Sequence, residues 1–332
     1  MFKNVHLSFL ISLGFLFCIN ILMVSSIAPK LVGKQFLAWV IGIGLFFIGK
    51  QINVKQINSS KWLIFVVCCL FLLSPILLNN ITRGSRRWIN IGTATIQPSE
   101  IVRPWLMLVL SNSNIPLLHL IPTGIIMLQP DLGSAISVFC LIIPIIFYNK
   151  KLFKKMIILG LIFILVSPIV YKTLLHDYQR ERIINFLNPA IDPLGKGYNV
   201  IQSKIAIGSG GIFGKGYKKG TQGQLLFLPE KHTDFMFAAT AEELGLLGIT
   251  IILVAYFLLI KTLFKKAFNT TNNRPLFLFT LGIAFQIWIQ TFINIGMNIG
   301  ILPVTGIPLP FISVGGSSIM TLLFSLGIIY SS

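Results

Sequence analysis

The sequence predicts an all-α, polytopic integral membrane protein that forms one domain over residues 1–332 and crosses the bilayer about ten times. Of its 332 residues, 55% are hydrophobic and only 11% are charged. Apolar stretches long enough to cross a hydrocarbon core of about 30 Å recur from end to end. These stretches must be helical, because lipid cannot satisfy free backbone groups. A soluble protein is therefore excluded.

The ten predicted spans follow from the positions of these apolar stretches. They lie at residues 8–27, 33–49, 61–79, 98–111, 115–129, 131–148, 153–175, 235–260, 275–299 and 312–330. The fourth and fifth are short, Pro104 lies inside the fourth, and a Gln-Pro-Asp break follows the fifth. We therefore expect a kinked or re-entrant pair at this point.

The distribution of charge predicts the orientation. A net charge of +18 could indicate a nucleic-acid partner, but most of the 27 basic residues lie in loops between spans. The bias of cytoplasmic loops toward Lys and Arg explains them without nucleic acid. With the N-terminus inside, the cytoplasmic segments hold twelve basic residues and the short outer loops hold five. Both termini are therefore predicted on the cytoplasmic side of the membrane.

The large loop between the seventh and eighth spans, residues 176–234, is predicted to be extracytoplasmic. A loop of this length is translocated largely regardless of its charge. None of the nine acidic residues of the chain falls in a predicted cytoplasmic loop. Any chemistry that needs carboxylates is therefore predicted on the outer face.

Asp234 is the first candidate for catalysis. It lies in LPEKHTDF, at the mouth of an apolar helix, where a partly desolvated carboxylate gains basicity and can accept a proton from a hydroxyl group. The alternative is structural, since Thr233 or Asp234 could cap the N-terminus of that helix. Residue types alone favour the cap.

Other acidic residues have structural alternatives too. Glu242 and Glu243 lie about two helical turns after Asp234 in apolar surroundings, where ionisable groups are costly unless they are paired or face a cavity. Glu100 and Arg103 are three residues apart on one predicted helix and can pair with each other. Asp131 follows a proline at a break between spans, where it can cap the next helix.

The outer loop also contains a glycine-rich, basic segment, GKGYNVIQSKIAIGSGGIFGKGYKKGTQGQ. Its glycines allow successive backbone N–H groups to face an anion, while Lys204 and Lys215 add charge. A Walker A loop is excluded, because Gly216 follows Lys215 where that motif requires Ser or Thr. The alternative is a solvated linker. Within the segment, residues 200–207 have the spacing of an amphipathic helix at the membrane surface.

Five motifs in order resemble the SEDS family of cell-wall polymerases, and its RodA-like members more than its FtsW-like members. They are RGSRRWINIG with QPSE; QPDLGSA; HDYQRERIINFLNPAIDPLGKGYNVIQSKIAIGSGGIFGKG; GTQGQLLFLPEKHTDFMFAATAEELG; and NIGMNIGILPVTGIPLPFISVGGSS. The resemblance covers the chain from about residue 83 to the C-terminus. HDYQRERI and GTQGQLLFLPE favour the RodA type.

The resemblance implies peptidoglycan glycosyltransfer, in which lipid II is polymerised into β-1,4 glycan strands and undecaprenyl diphosphate is released. The family's essential aspartate falls in the motif matched by HTDF, so the resemblance assigns Asp234 as the general base in place of a cap. It further implies a class B penicillin-binding protein and the elongation machinery as partners.

A departing diphosphate needs cationic stabilisation. The candidate substrate-binding cations are Arg87, Arg103, Arg180, Arg182, Lys204 and Lys215. Candidate acidic residues of the substrate site are Glu100, Asp131, Glu242 and Glu243. A divalent cation, Mg²⁺ or Mn²⁺, is a further candidate for binding the diphosphate. No organic cofactor is expected, and the metal identity stays open.

Two features depart from the family pattern. Arg103 stands where the family usually has Lys, which keeps the charge but changes its geometry and hydration. The linker SNSN, residues 111–114, is shorter than the family's.

The sequence leaves open two other classes of protein, and also a role in cell division within the same family. A lipid II flippase would use a cavity on the cytoplasmic side, where this sequence predicts no acidic residue. A scaffold that only recruits the transpeptidase would tolerate the loss of every outer carboxylate. An FtsW-type polymerase would act in division in place of elongation.

Overall fold

The computed structural model describes residues 6–78, 87–91, 94–113, 115–158 and 197–331. Two of the predicted site residues, Arg180 and Arg182, lie outside the described residues. So does most of the seventh predicted span, of which residues 153–158 are helical within a described helix over 150–158.

The described chain is mainly helical, as predicted. Its helices are α1 (Leu7–Ile27), α2 (Val32–Gly49), α3 (Lys61–Leu77), α4 (Pro98–Ser111), α5 (Leu120–Met127), α6 (Leu132–Phe139), α7 (Ile143–Tyr148), α8 (Tyr198–Ser209), α9 (Thr221–Gln224), α10 (Met236–Phe268), α11 (Arg274–Ile299) and α12 (Gly316–Ile329). Short 3₁₀ turns lie at Pro29–Leu31, Gln56–Asn58, Pro116–His119 and Cys140–Ile142.

Four of the described helical stretches are long and apolar enough to cross a membrane: Leu7–Ile27, Pro29–Gly49, Met236–Phe268 and Arg274–Ile299. Shorter apolar helices add to them, at Lys61–Leu77, Leu117–Met127, Leu132–Tyr148 and Gly316–Ile329. The chain is therefore a multi-pass membrane protein. The total of ten spans stays a prediction.

The structure corrects two details of the predicted elements. The predicted spans 115–129 and 131–148 are not continuous helices, because 3₁₀ turns interrupt them at Pro116–His119 and Cys140–Ile142. The all-α prediction also missed a small antiparallel hairpin, in which β1 (Ile89–Ile91) pairs with β2 (Ala94–Ile96). Three-residue strands are too short to produce a recognisable alternation of apolar and polar residues.

Close helix contacts through glycine organise the bundle. Helix α2 packs along α12, where a Cβ at Gly42 would meet the Leu323 side chain and one at Gly327 would overlap the Phe46 carbonyl. Small residues allow membrane helices to approach backbone to backbone. Helix α4 lies between α3, α11 and α12, and nearly all its side chains are buried. The charged residues Glu100 and Arg103 are therefore inside the bundle.

The glycine-rich segment forms a helix where an amphipathic one was predicted. Helix α8 packs on α10 and α11, with Ser203 and Ala206 buried and Lys204 exposed. The Ser203 hydroxyl donates to the Asn298 carbonyl of α11 at 2.8 Å. Protein contacts therefore hold this helix against the bundle.

Candidate active site

The backbone around Asp234 is held by two asparagines of α11. The side-chain amides of Asn294 and Asn298 both donate to the Asp234 carbonyl, each at 3.0 Å. The side-chain oxygen of Asn298 also accepts from the Ala238 N–H, in the first turn of α10, at 3.1 Å. Both asparagines are fully buried. Asp234 is therefore anchored through its main chain.

The helix that follows Asp234 starts two residues after it. Helix α10 begins at Met236, its N-cap residue is Phe235, and no N-cap side chain bonds to it. Asn298 of the neighbouring helix satisfies a first-turn N–H of α10 instead. A neighbouring helix therefore contributes to the capping of α10.

A loop before α12 holds the two residues that precede Asp234. The Ser313 hydroxyl donates to the Thr233 carbonyl, and the Val314 N–H donates to the His232 carbonyl at 2.8 Å. A buried polar network anchors this loop to α1 and α2. In it, Asn20 donates to the Ile312 carbonyl at 2.6 Å and Gln35 donates to the Ser313 carbonyl at 3.2 Å.

The segment that contains Thr305 and Gly306 lies close both to Asp234 and to the start of α6. A Cβ at Gly306 would lie 3.5 Å from Oδ2 of Asp234, and Gly306 has a positive φ of 72°. In the same segment, the Thr305 carbonyl oxygen would lie 2.6 Å from a Cβ at Gly133 of α6. The motifs QPDLGSA, HTDF and LPVTGIPLP therefore meet in space, although they are far apart in sequence.

Asp131 caps α6, as its structural alternative predicted. Its Oδ1 accepts from the Ser134 N–H at 3.1 Å, and its Oδ2 accepts from the Gln97 amide at 2.8 Å. Arg87 adds an ion pair with an Nη1–Oδ1 distance of 3.5 Å. The structure thus brings two predicted site residues, Arg87 and Asp131, into contact.

Glu100 and Arg103 do not form the expected pair. The described residues contain no ion pair between them, and Glu100 instead accepts a hydrogen bond from the Ser317 hydroxyl of α12. The buried Nε of Arg103 has no hydrogen-bond partner among the described residues. The reason is tertiary, because α12 packs against α4 and supplies Glu100 with a closer partner.

Glu242, Glu243 and Lys215 form a second cluster. The Lys215 ammonium contacts Oε1 of Glu242 at 2.7 Å, while Glu243 accepts from the Ser26 hydroxyl at 2.6 and 2.8 Å. Both carboxylates are fully buried. Burial lowers the pKa of the Lys231 ammonium in the adjacent loop, and the Glu243 carboxylate opposes this shift.

The sequence reasoning missed several residues that position the site. They are Asn294, Asn298, Ser313, Gln97, Ser26 and Asn20. A signal existed for the two asparagines, because buried amides four residues apart on an apolar helix require partners. Lys204, another predicted cation, belongs to α8. Its side chain packs against Gly300 at the C-terminal end of α11, where a Cβ at Gly300 would lie 2.6 Å from the Lys204 Nζ.

The described residues do not form a metal site made of protein ligands alone. Among them, no group of three His, Cys, Asp or Glu side chains lies close enough together to hold a metal ion. The buried carboxylates already accept hydrogen bonds from protein donors, at Glu100, Asp131, Glu242 and Glu243.

Comparison with known proteins confirms the family resemblance. The profile of the FtsW/RodA/SpoVE family, described as "Cell cycle protein", matches residues 3–116 and 114–332. The chain is 40% identical to the peptidoglycan glycosyltransferase MrdB of Escherichia coli strain K12, covering 87% of this chain and 82% of that protein. It is 37% identical to the stage V sporulation protein E of Bacillus subtilis strain 168, covering 89% and 85%.

Solved structures of related proteins have the same fold. A chain from a peptidoglycan synthase complex, reported for its coordination of polymerization and crosslinking, superposes with a TM-score of 0.84 at 30% identity, covering 99% of this chain and 97% of that chain. The rod shape determining protein RodA of Thermus thermophilus shares the fold, with a TM-score of 0.70 at 24% identity and coverage of 98% and 96%. The chain therefore belongs to the FtsW/RodA/SpoVE family.

Proposed function

We propose that the protein is a peptidoglycan glycosyltransferase that joins the disaccharide units of lipid II into β-1,4 glycan strands. The main support is the anchored aspartate: two segments of the chain, α11 and the loop before α12, hold the backbone at residues 232–234. The relative of 40% identity named a peptidoglycan glycosyltransferase supports the same reaction. The RodA-like motifs favour a role in cell elongation and rod shape.

The reaction needs one general base. Asp234 takes the proton of the acceptor 4-hydroxyl as that oxygen attacks the anomeric carbon of the donor. The bond between this carbon and the diphosphate oxygen breaks, its electron pair leaves with undecaprenyl diphosphate, and the configuration inverts. Because a diphosphate is already a good leaving group, the two-carboxylate arrangement of a glycosidase is unnecessary.

The departing diphosphate requires positive charge. Arg87, Arg103 and Lys204 remain candidates among the described residues, and Arg180 and Arg182 remain candidates from the sequence. Lys215 is engaged with Glu242, so its use by the substrate would require this ion pair to open. Arg103 is the buried candidate, and its unpartnered Nε could donate to an anion within the bundle.

The proposed reaction also predicts the membrane topology of the protein and its partner. The apolar stretches support ten spans, and the positive-inside count supports cytoplasmic termini. The positions of the acidic residues support an active site on the outer face of the inner membrane. A class B penicillin-binding protein would cross-link the product, and the similarity to a chain of a peptidoglycan synthase complex supports such a partner.

The decisive experiment is a polymerisation assay with purified lipid II, the reconstituted protein and its class B partner. We expect glycan strands on a gel and release of undecaprenyl diphosphate. The partner alone is the control. Movement of labelled lipid II across vesicles without glycan formation would identify a flippase instead. Polymer formed by the partner alone would identify a scaffold.

A divalent cation, Mg²⁺ or Mn²⁺, would enter with the diphosphate of the substrate. Mg²⁺ is usually bound by one or two carboxylates together with substrate phosphates, which fits the lack of a protein-only site among the described residues. We expect EDTA to slow polymerisation, added Mg²⁺ or Mn²⁺ to restore it, and the melting temperature of the substrate-free protein to stay unchanged. A fall in that melting temperature on chelation would contradict this proposal, because only a resident ion stabilises the free protein.

A further inference from the structure

Helix α10 is broken at Gly245, and the outer loop completes the break. Gly245 has φ 65° and ψ −165°, which removes it from the helical ladder. Residues 211–224, here called the outer clasp, bond to both sides of the break. The N–H groups of Lys215 and Gly216 donate to the carbonyls of Glu242 and Glu243 at 2.9 and 3.0 Å, and those of Leu246 and Leu247 donate to Gly211 and Ile212 at 2.9 and 3.1 Å.

The Glu242 carboxylate holds the clasp from within α10. Its Oε1 accepts from the Lys215 ammonium at 2.7 Å and from the Thr221 hydroxyl at 3.0 Å. The N–H groups of Gln222 and Gly223 donate to its Oε2 at 3.1 and 3.2 Å. These four donors compensate the burial of one charge, as a buried carboxylate in a membrane protein requires.

The Glu243 carboxylate ties the clasp to α1 as well. It accepts from the Ser26 hydroxyl, from the Gln224 amide at 3.0 Å and from the Lys218 N–H at 3.1 Å. The clasp passes so close that a Cβ at Gly220 would lie 2.9 Å from Cγ of Glu243. These two carboxylates are therefore engaged in holding the chain.

The break at Gly245 separates the first part of α10 from the rest of the helix. Residues 236–244 form a short helical piece that starts beside Asp234 and ends at the break, so the membrane-spanning part of α10 does not by itself set its direction. Asp234 and Glu242 are eight residues apart, or about 12 Å along a helix. The clasp and its two glutamates hold the far end of the piece whose near end carries Asp234.

We propose that Glu242 and Glu243 are positioning residues for glycosyl transfer. They hold the outer clasp against α10 and thereby fix the orientation of residues 236–244, which sets the position of Asp234 just before the N-terminus of this helical piece. This inference rests on the proposed function. It predicts that the two glutamates affect the chemical step more than the binding of lipid II.

Isosteric neutral variants test the proposal. We expect Glu242→Gln and Glu243→Gln each to lower kcat about 10- to 100-fold, the size of effect that a displacement of about 1 Å can produce, with a smaller change in KM for lipid II. Lys219→Ala is the matched control, because this exposed cation lies in the same clasp, and its kcat should equal that of the unmodified protein. Wild-type kcat in both Gln variants would overturn the proposal.

A disulfide separates positioning from direct chemistry. A Cβ at Gly223 would lie 3.9 Å from Cβ of Ala239, within the usual Cβ separation of disulfides. In the Glu242→Gln protein that also carries Gly223→Cys and Ala239→Cys, formation of the disulfide should restore kcat. Reduction of the disulfide should lower kcat again. A disulfide that forms without restoring kcat would show that Glu242 does more than hold the clasp, and would overturn the proposal.

Labelling makes the test independent of activity. Gly223→Cys, at a buried position of the clasp, should react faster in intact membranes with a membrane-impermeant maleimide when Glu242→Gln or Glu243→Gln is present, because the clasp detaches and exposes it. An unchanged labelling rate would contradict the proposal even where a variant is too unstable to purify. Asp234→Asn distinguishes the failures: if it is inactive while both Gln variants are fully active, only this inference fails, whereas an active Asp234→Asn overturns both.

Discussion

Asp234→Asn is expected to abolish polymerisation of lipid II while the protein stays folded. The amide cannot take the proton of the acceptor hydroxyl, and loss of a general base costs about 10²- to 10⁴-fold in rate. The fold should survive, because Asn294 and Asn298 bind the main-chain carbonyl of Asp234, which the substitution keeps. The measurement is the initial rate of glycan formation, with the melting temperature recorded in parallel.

The control for this variant is Glu230→Gln. Glu230 is an exposed carboxylate of the same loop, four residues before Asp234, and its substitution should leave the polymerisation rate unchanged. Full activity of Asp234→Asn would contradict the catalytic assignment. Equal loss of activity in both variants would show that the loop needs negative charge in general, and would contradict a specific base at residue 234.

Gly245→Ala is expected to destabilise the protein strongly and to reduce its activity. The backbone of Gly245, with φ 65° and ψ −165°, lies in a region that essentially only glycine occupies, and strain of this kind costs about 1–3 kcal/mol. An added Cβ would also overlap the Gly214 nitrogen and the Ile212 carbonyl oxygen. We therefore expect a loss of about 3 kcal/mol or more in the free energy of unfolding.

Thermal denaturation in detergent measures this effect, and Gly208→Ala is the matched control. Gly208 lies in helix α8, and a Cβ there would meet nothing within 4 Å. Alanine in a helix is favoured over glycine by about 0.5–1 kcal/mol, so the control should melt at the same or a higher temperature. A Gly245→Ala protein that melts with the control would contradict the described helix break.

The long helices were predicted well because their signal is local. The predicted spans 8–27, 33–49 and 275–299 differ by a residue at most from α1, α2 and α11. The predicted span 235–260 began one residue early and ended before Phe268, because the apolar stretch ends at Lys261 whereas the helix continues past Lys265 and Lys266. Hydropathy reports where lipid is the solvent and carries little information about where a helix stops in water.

The candidate site was predicted unevenly. Asp234 came from its motif, and the capping role of Asp131 came from the proline break before it. The pairing of Glu100 with Arg103 was wrong, because sequence spacing cannot show that Ser317, 217 residues away, lies closer to the carboxylate. Glu242 and Glu243 were recognised as buried charges in need of partners, but the sequence did not indicate that the partners belong to the outer clasp.

The sequence by itself determined that this is a helical membrane protein of the FtsW/RodA/SpoVE family, and it identified Asp234 as the candidate base. It could do so because composition, apolar run length and motif order are properties of the chain. Only the tertiary structure decided what holds that aspartate, since Asn298 reaches it across 64 residues and Ser313 reaches its neighbour across 80. The physical reason is that buried amides, hydroxyls and carboxylates must find partners wherever packing brings them. Which partners they meet depends on helix contacts that no local pattern encodes.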